Sequence, residues 1–167
     1  MLYVVRHPLD VVVSLSHYLG LSIDSTIEFM NDPVAGHAFG PEISLVAHAL
    51  GDWSEHVRGW TDADGMNVCV LRYEDMMAKP EATFARAAQA AGWPRDATRI
   101  ARAVENSRFE RLQRQEAKKG FVESSRNAAF FRTGRSGGWK QVLSPRQVDT
   151  MLQRHATVMR RFGYTDD

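Results

Sequence analysis

Leu2-Tyr3-Val4-Val5-Arg6-His7-Pro8-Leu9-Asp10-Val11-Val12-Val13-Ser14-Leu15-Ser16-His17-Tyr18 is the stretch that decides the fold. Its aromatic and β-branched opening suits a buried strand, and the apolar run breaks at Arg6-His7-Pro8. Pro8 has its φ pre-set for the first position of a helix, and Asp10 lies where the helix dipole favours a carboxylate. The pattern predicts strand, sharp turn and helix, with Arg6 ending the strand at the helix mouth. Free N–H groups at a helix N-terminus hold anions, and in open α/β sheets ligands collect beyond the carboxyl ends of strands. Arg6 is therefore placed to hold a phosphate. Ser14, two turns into the helix, reaches the same ligand if its side chain faces the cleft. On spacing alone, a solvated strand end and a helix-surface serine are the simpler reading.

Working outward, a second apolar run, Val68-Cys69-Val70-Leu71, ends in Arg72-Tyr73-Glu74-Asp75-Met76 and leads to Lys79-Pro80-Glu81. Ser107-Arg108-Phe109 follows, and then Phe131-Arg132-Thr133-Gly134-Arg135-Ser136-Gly137-Gly138-Trp139-Lys140. These four segments, in this order, resemble the sulfotransferases that use 3′-phosphoadenosine 5′-phosphosulfate (PAPS). The resemblance implies that Arg6 and Ser14 contact the 3′-phosphate and that Tyr73 lies beside the adenine. It further implies that Ser107 and Phe109 contact and stack on that adenine, and that the loop with Arg132, Thr133 and Gly134 closes over the 3′-phosphate. Thr133 stands where the family usually has lysine, and Gly138 where it usually has aspartate. Arg135 is near enough in sequence to supply a replacement guanidinium.

The resemblance runs from Leu2 to the last helix. The family's opening strand, its lysine-bearing loop around the 5′-phosphosulfate and its catalytic base precede the arginine-serine motif, and these residues contain no counterpart of them. No Gly-x-x-x-x-Gly-Lys-Ser/Thr pattern occurs, and the glycines from Gly134 to Gly138 lack the strand-to-helix setting of a phosphate loop. The expected fold class is α/β: a truncated P-loop-like parallel sheet covered by helices, helix-rich, in one N-terminally incomplete domain over residues 1–167. Such a domain binds the 3′-phosphoadenosine part of PAPS, the sulfuryl donor. Full-length relatives transfer the sulfuryl group to a hydroxyl or amine acceptor, whose identity the sequence does not reveal. A non-catalytic nucleotide-binding or protein-interaction remnant is the alternative. No catalytic residue is assigned, and no turnover is expected of these residues alone. A nucleotide kinase would need the phosphate loop. In the complete family fold the strand before that loop is expected between the strands ending at Arg6 and Tyr73. Its absence predicts a gap, with Val4, Val5, Val68 and Val70 forming a sticky edge through which the chain associates with itself.

Composition fits one globular domain: 167 residues, 44% hydrophobic and 25% charged. A net charge of +1 gives no electrostatic case for nucleic acid, whose non-specific binding needs many phosphates neutralised. The single cysteine, Cys69, falls in a strand and excludes a disulfide framework, which suits a reducing cytoplasm. No stretch is long enough to span a membrane, and Met1 is not followed by a secretory signal.

Elsewhere the pattern is helical. Val46, Leu50, Trp53, Val57 and Trp60 recur at helical steps from Ile43, which predicts a helix with core tryptophans. Ile23 to Asp32 reads as a helix opened by Asp24 or Ser25, Pro80 to Gly92 as another, Arg95 to Asn106 as a third. Pro33 to Pro41 reads as a loop, with His37 and Phe39 as candidate acceptor contacts, and Lys118 to Phe130 as a loop or lid. Gln147 to Phe162 is an amphipathic helix whose Arg154, Arg160 and Arg161 form a solvated face. His48 and His56, eight apart on the expected helix, are too far separated to share a metal, so none is expected. His17 is expected to be partly buried.

Overall fold

A computed structural model describes residues 1–37, 48–121 and 129–165. Strand β1 (Leu2–Val5) leads through Arg6 and His7 into helix α1 (Pro8–Leu19), as the opening stretch predicts. Pro8 sits in the first turn, and His7 caps it by accepting from the Leu9 N–H at 3.2 Å. Helix α2 (Ile23–Asn31) is capped by Ser22, not by Asp24 or Ser25, because the Ser22 hydroxyl accepts from the Ser25 N–H. Strand β2 (Gly36–His37) pairs antiparallel with β3 (His48–Ala49), and α3 (Trp53–Thr61) follows. The helix expected from Ile43 is thus corrected over its described part. Residues 48 and 49 are extended, and Asp52 and Glu55 form a capping box that starts the helix afresh. His48 and His56 therefore do not share a helix. Phe39 lies outside the described residues.

Strand β4 (Cys69–Arg72) runs into α4 (Tyr73–Ala78), and α5 (Pro80–Ala90) and α6 (Ala97–Asn106) follow. Helix α7 (Phe109–Lys119) takes in Lys118 and Lys119, which the loop reading had assigned to a lid. A single 3₁₀ turn (Gly138–Gln141) then precedes α8 (Pro145–Arg161). The architecture is α/β and helix-rich, with the parallel pair β1 and β4 at its centre. The two strands register directly, Leu2 with Cys69 through Val5 with Arg72. This corrects the expected gap: the strands have closed up, Val5 is buried, Val70 is half-buried and only Val4 remains exposed from the pair's inner run. Among the described residues neither strand has a second neighbour.

Two apolar cores flank the sheet. Leu9, Val12 and Val13 of α1 pack with Ile27, Met30, Leu143 and Met151, while Val5 packs with Val57, Val158, Met159 and Tyr164. The Val148-Met151-Leu152-His155-Met159 stripe of α8 faces these cores as its spacing predicts. Two tryptophans do not behave alike: Trp53 touches both cores, but Trp60 is exposed, as is His17. Arg154 and Arg161 are not simply solvated, for they pair with Asp52 and Asp62. Between α3 and α8, Ser54 shares a 2.8 Å hydrogen bond with Nδ1 of His155, a ring with 0% of its surface exposed. Among the described residues no helix is long and apolar enough to cross a membrane.

Candidate functional site

The register of β1 on β4 builds the centre of the site. Because Val5 pairs with Arg72, the next residues, Arg6 and Tyr73, leave the carboxyl edge of the sheet side by side. The Arg6 guanidinium lies 4.4 Å above the Tyr73 ring, and one of its terminal nitrogens donates to the Arg135 carbonyl at 3.2 Å. Its Nε is buried and has no hydrogen-bond partner among the described residues. A cation stacked on an aromatic face is held in place while its other donors remain oriented.

Below Arg6 a polar joint ties both strand ends to the C-terminal tail. Glu74 accepts from the His7 N–H at 3.0 Å and from the Tyr164 hydroxyl at 2.8 Å, and that hydroxyl also lies 3.2 Å from the Val5 carbonyl. The His7 ring sits against Trp139 and Tyr164, with centroids 5.5 and 4.9 Å away. Burial lowers the His7 pKa, against the opposing pull of Asp10 and Glu74, so the ring stays neutral and free to accept from Leu9. Burial, then Glu74, raises that of Tyr164.

The loop that follows Phe131 is tied to this platform by Asp10. This carboxylate is only 3% exposed, and it accepts from the Gly137 N–H at 2.6 Å and the Trp139 N–H at 3.1 Å. Gly137 has a φ of +80°, a left-handed turn that favours glycine. Ser14 lies four residues beyond Asp10, hence on the same face of α1 one turn along, and it is exposed.

Helix α7 packs against the other side of the loop. The Phe109 ring covers Gly134 so closely that a Cβ there would fall 2.4 Å from its Cδ2, and Phe131 meets the ring edge-on at 6.2 Å. Phe121, Phe130 and Phe131 form a cluster with centroids 4.8–5.2 Å apart. Glu116 of α7 accepts from the N–H groups of Phe130 and Phe131 at 2.7 and 3.0 Å. A concavity of about 510 Å³ along α7, lined by Arg108, Arg111, Arg114 and Lys118 among others, includes neither Arg6 nor Tyr73.

Of the residues singled out from the sequence, Arg6 and Phe109 contact the loop that carries Gly134, and Tyr73 joins them through Arg6. Arg132 and Thr133 are exposed on it. Ser107 is also exposed, with its hydroxyl donating to Ala103 and Val104 carbonyls of its own helix, and among the described residues Ser14 makes no hydrogen bond to the loop. Sequence reasoning noticed Asp10 only as a dipole partner and missed Glu74, Glu116 and Tyr164 as joints. A carboxylate just ahead of Val11-Val12-Val13 in an apolar helix was the available signal for Asp10. Among the described residues no group of His, Cys, Asp and Glu could hold a metal. What the arrangement offers is cations at the carboxyl edge of the sheet and an aromatic ring beside them, which suits an anionic, ring-bearing ligand.

A family model for the sulfotransferase domain matches residues 1–163. The chain is 28% identical to sulfotransferase 1C2 of Oryctolagus cuniculus over 163 residues, which is 92% of this chain and 53% of that protein. It is 26% identical to flavonol 3-sulfotransferase of Flaveria bidentis over 161 residues, 88% of this chain and 50% of that one. The chain thus spans about half the length of the curated relatives it matches. Its fold is similar to mouse sulfotransferase SULT7A1 complexed with PAP, with a TM-score of 0.71 at 23% identity, covering 95% of this chain and 58% of that one. It is also similar to retinol dehydratase in complex with androsterone and the inactive cofactor PAP, with a TM-score of 0.69 at 22% identity, covering all of this chain and 48% of that one.

Proposed function

This chain belongs to the sulfotransferase domain family, and from that premise we propose that it binds the 3′-phosphoadenosine portion of PAPS. The observation that carries this reading is the clamp on Arg6, held between the Tyr73 ring and the loop that bears Arg132 and Arg135. In this reading Arg6, Ser14 and Arg132 hold the 3′-phosphate, with Thr133 and Gly134 in the covering loop. Tyr73, Phe109 and Ser107 flank the adenine. The residues fit the group: the buried Arg6 Nε, with no hydrogen-bond partner among the described residues, and exposed arginines supply positive charge, and the half-buried Phe109 ring supplies aromatic surface. PAPS would bring the sulfuryl group. None of the residues gathered here is placed as a base or nucleophile for its transfer, so the proposed role is nucleotide binding, in the cytoplasm.

Titration calorimetry tests the proposal. PAP (3′-phosphoadenosine 5′-phosphate) is expected to bind more tightly than AMP. Arg6→Ala is expected to weaken PAP by roughly ten- to a hundredfold, the worth of one charge-assisted hydrogen bond, with little effect on AMP. Equal affinity for the two nucleotides would overturn the reading.

A further inference from the structure

We propose that Asp10 is the positioning residue for the 3′-phosphate end of this site: its buried carboxylate fixes the loop 132–139 over α1 and thereby sets the preference for PAP over AMP. The inference rests on the nucleotide reading above and deepens it.

A carboxylate in the first turn of a helix satisfies the dipole perfectly well from solvent. Asp10 is instead 3% exposed, beside Leu9, Val12 and Val13 in the α1 core. Burying a carboxylate is costly unless hydrogen bonds replace its water. Here both oxygens are satisfied from the loop, one by the Gly137 N–H at 2.6 Å and the other by the Trp139 N–H at 3.1 Å. Asp10 can therefore be buried only while the loop is docked. Two residues upstream, the Arg135 carbonyl takes a hydrogen bond from Arg6. Within five residues the loop is thus tied to the end of β1 and to the first turn of α1. Ser14 lies one turn further along the same helix face. The single carboxylate holds three phosphate-side features, Arg6, Ser14 and the arginine-bearing loop, in one fixed relation, and it does so without touching the nucleotide.

The test uses the full chain, with Asp10→Ala, Asp10→Asn and Arg6→Ala. Asp10→Asn keeps the volume and one acceptor, and carries the decision alone if the alanine variant does not fold. Hydrogen exchange is expected to show the Gly137 and Trp139 amides losing far more protection in both Asp10 variants than amides in the middle of α8, which fall only with global stability. Calorimetry is expected to show the preference for PAP over AMP falling by roughly tenfold, with AMP affinity unchanged. A merely structural role would weaken both nucleotides together, and that result overturns the proposal, as does unchanged protection at Gly137 and Trp139. If Arg6→Ala abolishes the preference but the Asp10 variants retain it, the positioning role fails while the nucleotide reading stands. If the unaltered chain shows no preference for PAP, the nucleotide reading fails, and the specificity role of Asp10 with it.

Discussion

The loop that crosses the site is held at both ends by the same device, a carboxylate accepting two backbone N–H groups, yet the two ends differ in where that carboxylate stands. Asp10 grips Gly137 and Trp139 from inside the α1 core, 3% exposed. Glu116 grips Phe130 and Phe131 from α7, a helix with no buried residue. A hydrogen bond exchanged against water is worth little, whereas a buried donor left without its acceptor costs its full desolvation. The Asp10 side of the loop is therefore fixed by the cores. The aromatic side can adjust to a ligand.

Asp10→Ala gives the largest expected effect. Removing an ionised acceptor from two partly buried N–H groups is expected to lower stability by about 4 kcal/mol, read as a shift in the urea midpoint. A loss below about 1 kcal/mol would place Asp10 and Glu116 on an equal footing and erase the contrast.

Gly134→Ala acts where the two sides meet. The residue has a φ of +59°, which an L side chain resists, and the new Cβ would press into the Phe109 ring. Strained backbone and overpacking together are expected to cost about 3 kcal/mol. The contrast predicts which partner yields: Phe109 on the exposed α7 should move, while the Asp10 grip on Gly137 holds. Amide shifts confined to α7 would agree, and shifts spreading through α1 would not.

The buried side was also the legible side. Strand β1, the turn at Pro8 and the α8 stripe each announce themselves through local rules: β-branched runs, proline at a first turn, apolar residues every third or fourth position. The motif residues Arg6 and Tyr73 stand out through the resemblance carried by the segments they end, since on spacing alone Arg6 reads as a solvated strand end. Helix α7 did not, because Phe109 to Lys119 is polar nearly all round and offers no apolar period to read. The spacing of Val46, Leu50 and Trp53 misled for the opposite reason. It imitates a helix, but pairing of His48 with His37 and the Asp52 cap override it. The joints at Asp10 and Glu74 were beyond local reading, since their partners lie 127 and 67 residues away.

Acid probes the buried side through His155. Burial lowers its pKa from 6.5 to about 4, with Asp52 opposing and Arg154 and Arg58 reinforcing the shift. The folded chain keeps the ring neutral while the unfolded chain takes up a proton once pH falls below about 6.5. This contribution to stability is complete above that pH and is lost progressively as pH falls towards 4. Between pH 8 and pH 5 the loss is expected to be about 2 kcal/mol. Urea titrations followed by tryptophan fluorescence can measure it, because Trp53 meets His155 edge-on at 5.6 Å. In His155→Gln the loss over this range should shrink markedly, and an unchanged slope would remove His155 as its source.

Glu116→Ala carries the smallest expected change in stability and the sharpest check on the contrast. The N–H groups it holds belong to one exposed and one half-buried phenylalanine, which water can reach and satisfy when the carboxylate is gone. The Phe121, Phe130 and Phe131 cluster remains to hold the chain against α7. Stability is expected to fall by less than about 1 kcal/mol, the range of a hydrogen bond exchanged with solvent. Hydrogen exchange should nevertheless quicken at Phe130 and Phe131 while Gly137 and Trp139 stay protected, because their acceptor sits on a different helix. Loss of protection at all four amides would show that the loop docks as one unit gripped from either end, and the division of the site into a fixed and an adjustable side would have to be given up.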